Sequence, residues 1–303
     1  MEQEVLGLGP HCRETGGAGT VSSDACETHP NLRGTRLSSN RIVCYNIADY
    51  QRGGVGVRMS SAFSTLQDFP WEESIRAVKD SLDFDSYPAF TEHVFDTLPQ
   101  NSPQTRRRYT NLIGRWFFPD TQLPSLAGRV WAAHKDEQAL RDVMRACVLA
   151  REPAIAAFVE QFILPAPPGT ELSPETLRAY VETTYGGFKD NSRKRLTRTL
   201  RELGFVTRSG QTWFTQALSR PATAFLILLH DRFAPTPRIV SLAQILGDPL
   251  WWQVGYHTPD EVRETLRDAA AAGLIARFVK VDQLEQITTR YTLEEWLAGR
   301  LRL

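Results

Sequence analysis

The side chains whose types and spacing could do chemistry lie between Ser192 and Gln211. Ser192, Arg193, Lys194, Thr197, Arg198 and Arg201 form one short run, and Arg208 and Gln211 follow after a glycine. The chemistry such a set offers is capture of a nucleic acid. Guanidinium and ammonium groups neutralise phosphates, while hydroxyl and amide groups reach base edges. A second cationic cluster, Arg106, Arg107 and Arg108, lies earlier in the chain and could extend the same track.

The elements that must position the first set are legible in Phe188 to Phe214, FKDNSRKRLTRTLRELGFVTRSGQTWF. Leu196, Leu200 and Leu203 fall on one helical stripe and are expected to face a core. Lys194, Thr197, Arg198 and Arg201 lie on the opposite side of the wheel, and Asn191 or Ser192 is expected to cap the helix start. Gly204 is the expected stop. Residues 205–208 and 211–214 then read as two strands joined at Ser209-Gly210. A helix Ser173-Pro174 onward, closed by Gly186-Gly187, precedes the basic helix. Helix, turn, basic helix and hairpin is the order of a winged helix-turn-helix, whose usual use is to place the second helix in the major groove of double-stranded DNA. A basic helical face can equally be plain solvated surface, or a dock for an acidic protein.

Charge sharpens the expectation. The 303-residue chain has 35 basic and 35 acidic residues, so a nucleic-acid surface must be a local patch. Between Gly186 and Arg220, eight bases face two acids, positive by six (8 − 2). Between Met59 and Gln100, eight acids face two bases, negative by six (8 − 2).

Four regions follow. Residues 1–58 show no apolar period and read as a disordered or non-native extension, with Met59 as an alternative start. Residues 59–168 read as an all-helical domain. In it Ser102-Pro103 opens a helix with Tyr109, Leu112, Ile113, Trp116 and Phe117 inside. The arginine triplet of that helix either contacts DNA or pairs with the acidic segment before it. A Pro-rich linker, residues 165–169, leads to the winged unit at 170–235. Residues 236–303 read as a second winged-helix-like unit, with a helical stretch over 239–253, a helix from Thr258-Pro259 stopped by Gly273, and strands near 274–281 and 286–293. Its outward face is mixed, Arg263 and Arg267 against Asp260 and Glu264. The fold class expected is therefore mainly α, a helical N-terminal domain followed by winged units with short β-hairpins.

Catalytic and metal motifs are not found. Cys12, Cys26, Cys44 and Cys147 have no C-x-x-C spacing, and the six histidines sit in no zinc or hydrolase context. His230-Asp231 reads as a helix end or a core histidine bonded to backbone. The glycines of RGGVGV lack the lysine and Ser/Thr of a phosphate loop. No apolar run suits a membrane span, and no secretory leader is seen. The expectation is a cytoplasmic, non-enzymatic protein with no metal and no cofactor.

Residues 60–230 resemble the BrxA family, accessory proteins of bacterial BREX phage-defence systems. The likeness lies in an acidic helical lead-in followed by SPQTRRRYTNLI, in the all-helical stretch up to Phe162, and in NSRKRLTRTLRELGFV. It implies a helical, NusB-like fold with helix-turn-helix elements, binding of double-stranded DNA without enzymatic activity, and other defence-system proteins as partners. A winged-helix transcriptional regulator and a protein-interaction scaffold within a defence complex are the alternatives.

Overall fold

The computed structural model describes residues 69–185, 190–282, 284–299, 301 and 303. The expectations for residues 1–58, for Met59 as a start, for Gly186-Gly187 and for Phe188 lie outside these residues. Those described are mainly helical, with two small antiparallel sheets.

Six helices come first: α1 (Trp71–Asp80), α2 (Tyr87–Thr97), α3 (Pro103–Phe117), α4 (Leu126–His134), α5 (Glu137–Arg151) and α6 (Pro153–Phe158), the last continuing through a wider turn at Val159–Ile163. Pro103 opens α3 as expected, and Tyr109, Leu112, Ile113, Trp116 and Phe117 are its buried stripe. Asp136 caps α5 by accepting from the backbone N–H of Gln138 and Ala139, at 2.9 and 3.1 Å. Helix α5 is buried over most of its circumference, at Leu140, Val143, Met144, Val148 and Leu149 among others. It packs on α3, α4 and α6, and on two helices of the C-terminal half. Cys147 packs against this core as a small apolar group.

The arginines of α3 that make described bonds do not turn to the acidic lead-in. Arg115 pairs with Glu152, and Arg106 donates to the backbone oxygen of Gln100. The acids Glu72 and Glu137 pair instead with Arg141 and Lys79 between α1 and α5.

The next unit runs α6, β1 (Glu171–Leu172), α7 (Pro174–Tyr185), α8 (Asp190–Glu202), β2 (Val206–Ser209) and β3 (Thr212–Thr215), with sheet order β1-β3-β2. Two expectations are corrected here. The Pro-rich stretch is not a loose linker: Gly169 donates to the Thr215 oxygen at 2.8 Å, Thr215 Oγ1 donates to the Pro167 oxygen at 2.7 Å, and an unforeseen strand, β1, follows. The hairpin register is one residue later than expected, because Ser209 pairs with Thr212 and the turn is Gly210-Gln211. Gly210, at φ +59°, supplies the positive φ that a two-residue turn requires.

The last unit follows a similar plan with one helix more between its first strand and its hairpin: α9 (Ala222–Phe233), β4 (Ile239–Ser241), α10 (Leu242–Leu246), α11 (Leu250–Val254), α12 (Pro259–Ala271), β5 (Ile275–Val281) and β6 (Leu284–Thr289), then α13 (Leu293–Leu297). Its sheet order is β4-β6-β5, so again the first strand pairs with the last. The helical expectation for 239–253 fails at its start. Ile239–Ser241 is a strand on β6, and Ser241 then caps α10. The second strand ends at Thr289, before the expected 293, because Thr292 and Glu295 form a capping box that starts α13.

Two buried polar groups lock these parts together. Arg145 of α5 is 4% exposed. Its Nη1 donates to Asp142 Oδ1 at 2.7 Å and to the Val254 oxygen at 2.6 Å, and its Nε donates to the Leu203 oxygen at 2.7 Å. Gln138 also donates to Asp142 Oδ1, at 2.8 Å. His230 of α9 is wholly buried. Its Nδ1 donates to the Leu226 oxygen at 2.7 Å, and its Nε2 accepts from Trp296 Nε1 of α13 at 3.1 Å. It is a core histidine bonded to backbone, as its setting after an apolar run suggested. Burial holds its pKa below the ordinary imidazole value.

Arg145→Ala is expected to cost about 3–5 kcal/mol of unfolding free energy, since it leaves the Asp142 carboxylate buried without a partner. Urea denaturation measures this, and Arg145→Met with Asp142→Leu should recover part of the loss.

His230 should stay neutral in the folded state well below the ordinary imidazole pKa of about 6.5, because a second ring proton would face the Trp296 N–H. Its share of the stability is complete above that value and declines as the pH falls through it. The neighbouring Asp231, raised by burial to about 6, acts in the opposite sense, so the ring itself is the readout. Imidazole nitrogen NMR should show the Nδ1–H tautomer unchanged between roughly pH 8 and pH 6.

Candidate nucleic-acid interface

Helix α8 leans on α7 and β2. Leu196 and Leu200, with Leu203 just beyond the helix, are buried as their spacing predicts. The exposed stripe is Asn191, Lys194, Arg198 and Arg201, at steps of three and four residues along one side. The Lys194 and Arg201 side chains are 65% and 50% exposed.

Two expected members of the set are not on this surface. Ser192 is 2% and Thr197 3% exposed. Thr197 Oγ1 donates to the backbone oxygens of Arg193 and Lys194, both at 3.1 Å. The buried arc is therefore wider than the leucine stripe alone, and it takes in the short polar residues on its flank. Ser192 does not cap the helix either, since α8 already begins at Asp190.

Two carboxylates partly neutralise the cations. Asp190 accepts from Arg193 Nη2 at 2.9 Å and from Lys194 Nζ at 2.6 Å. These bonds hold its pKa below the usual carboxylate range. Arg201 pairs with its neighbour Glu202.

The hairpin adds a further cation. Val206 and Thr215 are buried against the helices, so by alternation Arg208 and Trp213 lie on that same sheet face toward the tip. Arg208 stacks over the Trp213 ring at 5.7 Å and bonds Gln211 Oε1 at 2.9 Å. Arg208 and Gln211 are both exposed.

The remaining expected contacts lie elsewhere. Arg107 and Arg108 are exposed near the start of α3, with Arg106 half-buried beside them. Helix α3 packs on α1, α2 and α5, a different neighbourhood from that of α8. Arg220, counted in the basic stretch by sequence, reaches across to α12. It donates to Thr265 Oγ1 at 2.8 Å and pairs with Asp268 at 3.1 Å and with Glu264. With Arg220 committed there, seven bases and two acids remain, positive by five (7 − 2).

Sequence reasoning missed Asn191 as a surface group and Asp190 as a partner of two cations. The spacing 191, 194, 198 and 201 is the signal that could have revealed the first, and an acid three and four residues before Arg193 and Lys194 the second.

Among the described residues no cluster of His, Cys, Asp and Glu could hold a metal ion, and no helix is long and apolar enough to cross a membrane. No family model and no curated protein matches the chain. A magnesium-ion-bound SspB crystal structure is similar to it, with a TM-score of 0.44 and 14% sequence identity, over 78% of this chain and 88% of that chain.

Gly204 fixes where α8 ends. It sits at φ +85°, and a Cβ there would lie 2.7 Å from Leu218. Gly204→Ala should cost about 2 kcal/mol or more through the left-handed backbone alone, read as a lower midpoint in thermal unfolding.

Proposed function

We propose that α6, β1, α7, α8, β2 and β3 form a winged helix-turn-helix that binds double-stranded DNA, with α8 lying in the major groove. The observation that carries this is the stripe Asn191, Lys194, Arg198 and Arg201 on the open side of α8, beside a hairpin tip bearing Arg208 and Gln211. Helix, strand, two helices and an antiparallel hairpin whose second strand pairs with the first strand is the winged-helix order. Lys194, Arg198 and Arg201 serve as phosphate contacts or reach guanine edges, and Arg208 takes an adjacent backbone. The unit formed by α9 to β6 shares the sheet order, with one helix more, and lacks the surface. Its Arg263 is held at 2.9 Å by both Asp260 and Glu285, and its Arg267 lies over the Phe278 ring at 5.8 Å. It serves as a packing unit. On this reading the protein acts by holding DNA and not by chemistry on it, and the resemblance of residues 60–230 to the BrxA family supports a role as a DNA-binding accessory of a phage-defence system.

Anisotropy titrations of a short labelled duplex test the proposal. With the cations Lys194, Arg198, Arg201 and Arg208 engaged, the logarithm of the association constant should fall against that of salt concentration with a slope of roughly −3 to −4. Arg198→Ala with Arg201→Ala should weaken binding by at least about tenfold and flatten that slope by about two. Thr197→Val should leave the affinity within about twofold, because the hydroxyl is buried and already bonded to its own helix. Saturable binding that is absent at low salt, or that survives the double arginine substitution unchanged, would overturn the assignment.

A further inference from the structure

The first turn of α8 carries a carboxylate where a DNA-contacting helix places its base-reading residues. Asp190 is only half shielded from solvent, with 45% of its side chain exposed, and it bonds Arg193 and Lys194 through separate oxygens. Helix α8 thus presents its first-turn cations already committed to an internal acid, which stands three and four residues before them.

We propose that Asp190 is the selectivity-determining residue of this surface, a carboxylate that withholds Arg193 and Lys194 from phosphates until a base edge offers it a donor in exchange. This rests on α8 being the DNA-contacting helix. The physical logic has two parts. A carboxylate near the DNA backbone is repelled by phosphates, and it keeps two cations from displacing counterions, so binding to an arbitrary duplex is weakened. In the major groove a carboxylate has a matching partner in the cytosine N4 amino group at the edge of the pair, whereas the adenine amino group lies between two acceptors, adenine N7 and thymine O4, that repel a carboxylate. A helix whose other exposed residues are long cations gains discrimination from such a group, because penalising the wrong partner separates affinities as effectively as rewarding the right one. No other acid of α8 can take the role, since Glu202 lies at the far end beside Arg201.

The test compares the full chain with Asp190→Asn on two labelled duplexes of equal length, one of A·T pairs alone and one rich in G·C pairs, across a salt series. Asp190→Asn should bind the A·T duplex about tenfold tighter, with a salt slope steeper by roughly one to two, as the freed cations reach phosphates. It should tighten much less on the G·C-rich duplex, so the ratio between the two narrows. In a background of Arg193→Gln with Lys194→Gln, the same substitution should no longer change the slope. Unchanged or weaker binding to the A·T duplex, equal tightening on both duplexes, or a slope change that persists without the two cations would each overturn the inference. Circular dichroism of each variant confirms that α8 is retained. Wild-type binding that depends on Arg198 and Arg201 but ignores Asp190 sinks this inference alone, whereas loss of all duplex binding sinks the DNA-binding assignment with it.

Discussion

The arrangement of the described residues depends on one buried guanidinium. Arg145 projects from the central helix α5 and bonds to the ends of two other helices, through the Leu203 oxygen after α8 and the Val254 oxygen of α11. Both carbonyls stand at helix C-termini, where backbone dipoles concentrate negative charge. Each is followed by a glycine at positive φ, Gly204 at +85° and Gly255 at +127°. A Cβ on Gly255 would lie 2.9 Å from both Arg145 Nη1 and Leu218. The glycines therefore end the helices and also clear the space that the guanidinium occupies. Burying a charge is costly, and here Asp142 and the two carbonyls offset that cost together. Losing any one partner leaves the others without compensation. Arg145 thus anchors the C-terminal end of α8, while the buried leucines of that helix set which side faces outward.

The two units, each a helix, a strand, two or three further helices and a hairpin, show how one inner pattern can carry two outer ones. In each, a leucine-bearing helix runs to a glycine, Gly204 or Gly273, and then to a buried Phe205 or Leu274. What differs is the partnering of surface charge. Arg263 is claimed twice, by Asp260 and by Glu285, and Glu264 and Asp268 draw Arg220 across from the neighbouring unit. On α8 the described acids are Asp190, paired with Arg193 and Lys194, and Glu202, paired with Arg201, against five bases in the helix. Architecture thus follows from the buried faces, which the units share, and binding capacity from exposed ones, which they do not.

Much of this was legible in the chain because it is local. Proline after Ser102 or Thr258 marks helix starts, leucine spacing marks inner faces, and glycine marks stops. What escaped the sequence depends on distant partners. The strand Ile239–Ser241 sits in an apolar run that also suits a helix, and only pairing with β6 decides the matter. Arg145 with Asp142 three residues before it reads as an ordinary surface pair, because nothing local announces that Leu203 and Val254 will arrive. Thr197 lies at the margin of the helical wheel, where packing of α7 and β2 against α8 determines which side of the boundary it falls on, whereas Ser192, four residues before Leu196, lies on the leucine stripe itself. The turn at Gly210-Gln211 shifted by one residue for a similar reason, since Ser209 could end a strand or begin a turn until Thr212 was opposite it.

The inward position of Thr197 changes what α8 could say to a duplex. Short hydroxyl groups on an exposed face hold a fixed geometry and can report on a base edge. Long lysine and arginine chains reach phosphates from many positions and are less exacting unless a guanidinium meets guanine in its bidentate geometry. With Thr197 bonded to its own helix, the open stripe is three flexible cations and Asn191. Any preference among sequences must then come from the first turn, from an arginine meeting guanine, or from the shape and stiffness of the duplex itself. The first turn is where Asp190 and Asn191 stand side by side. The short polar side chains of the exposed face are thus gathered at one end of α8, and the long cations are spread along the rest.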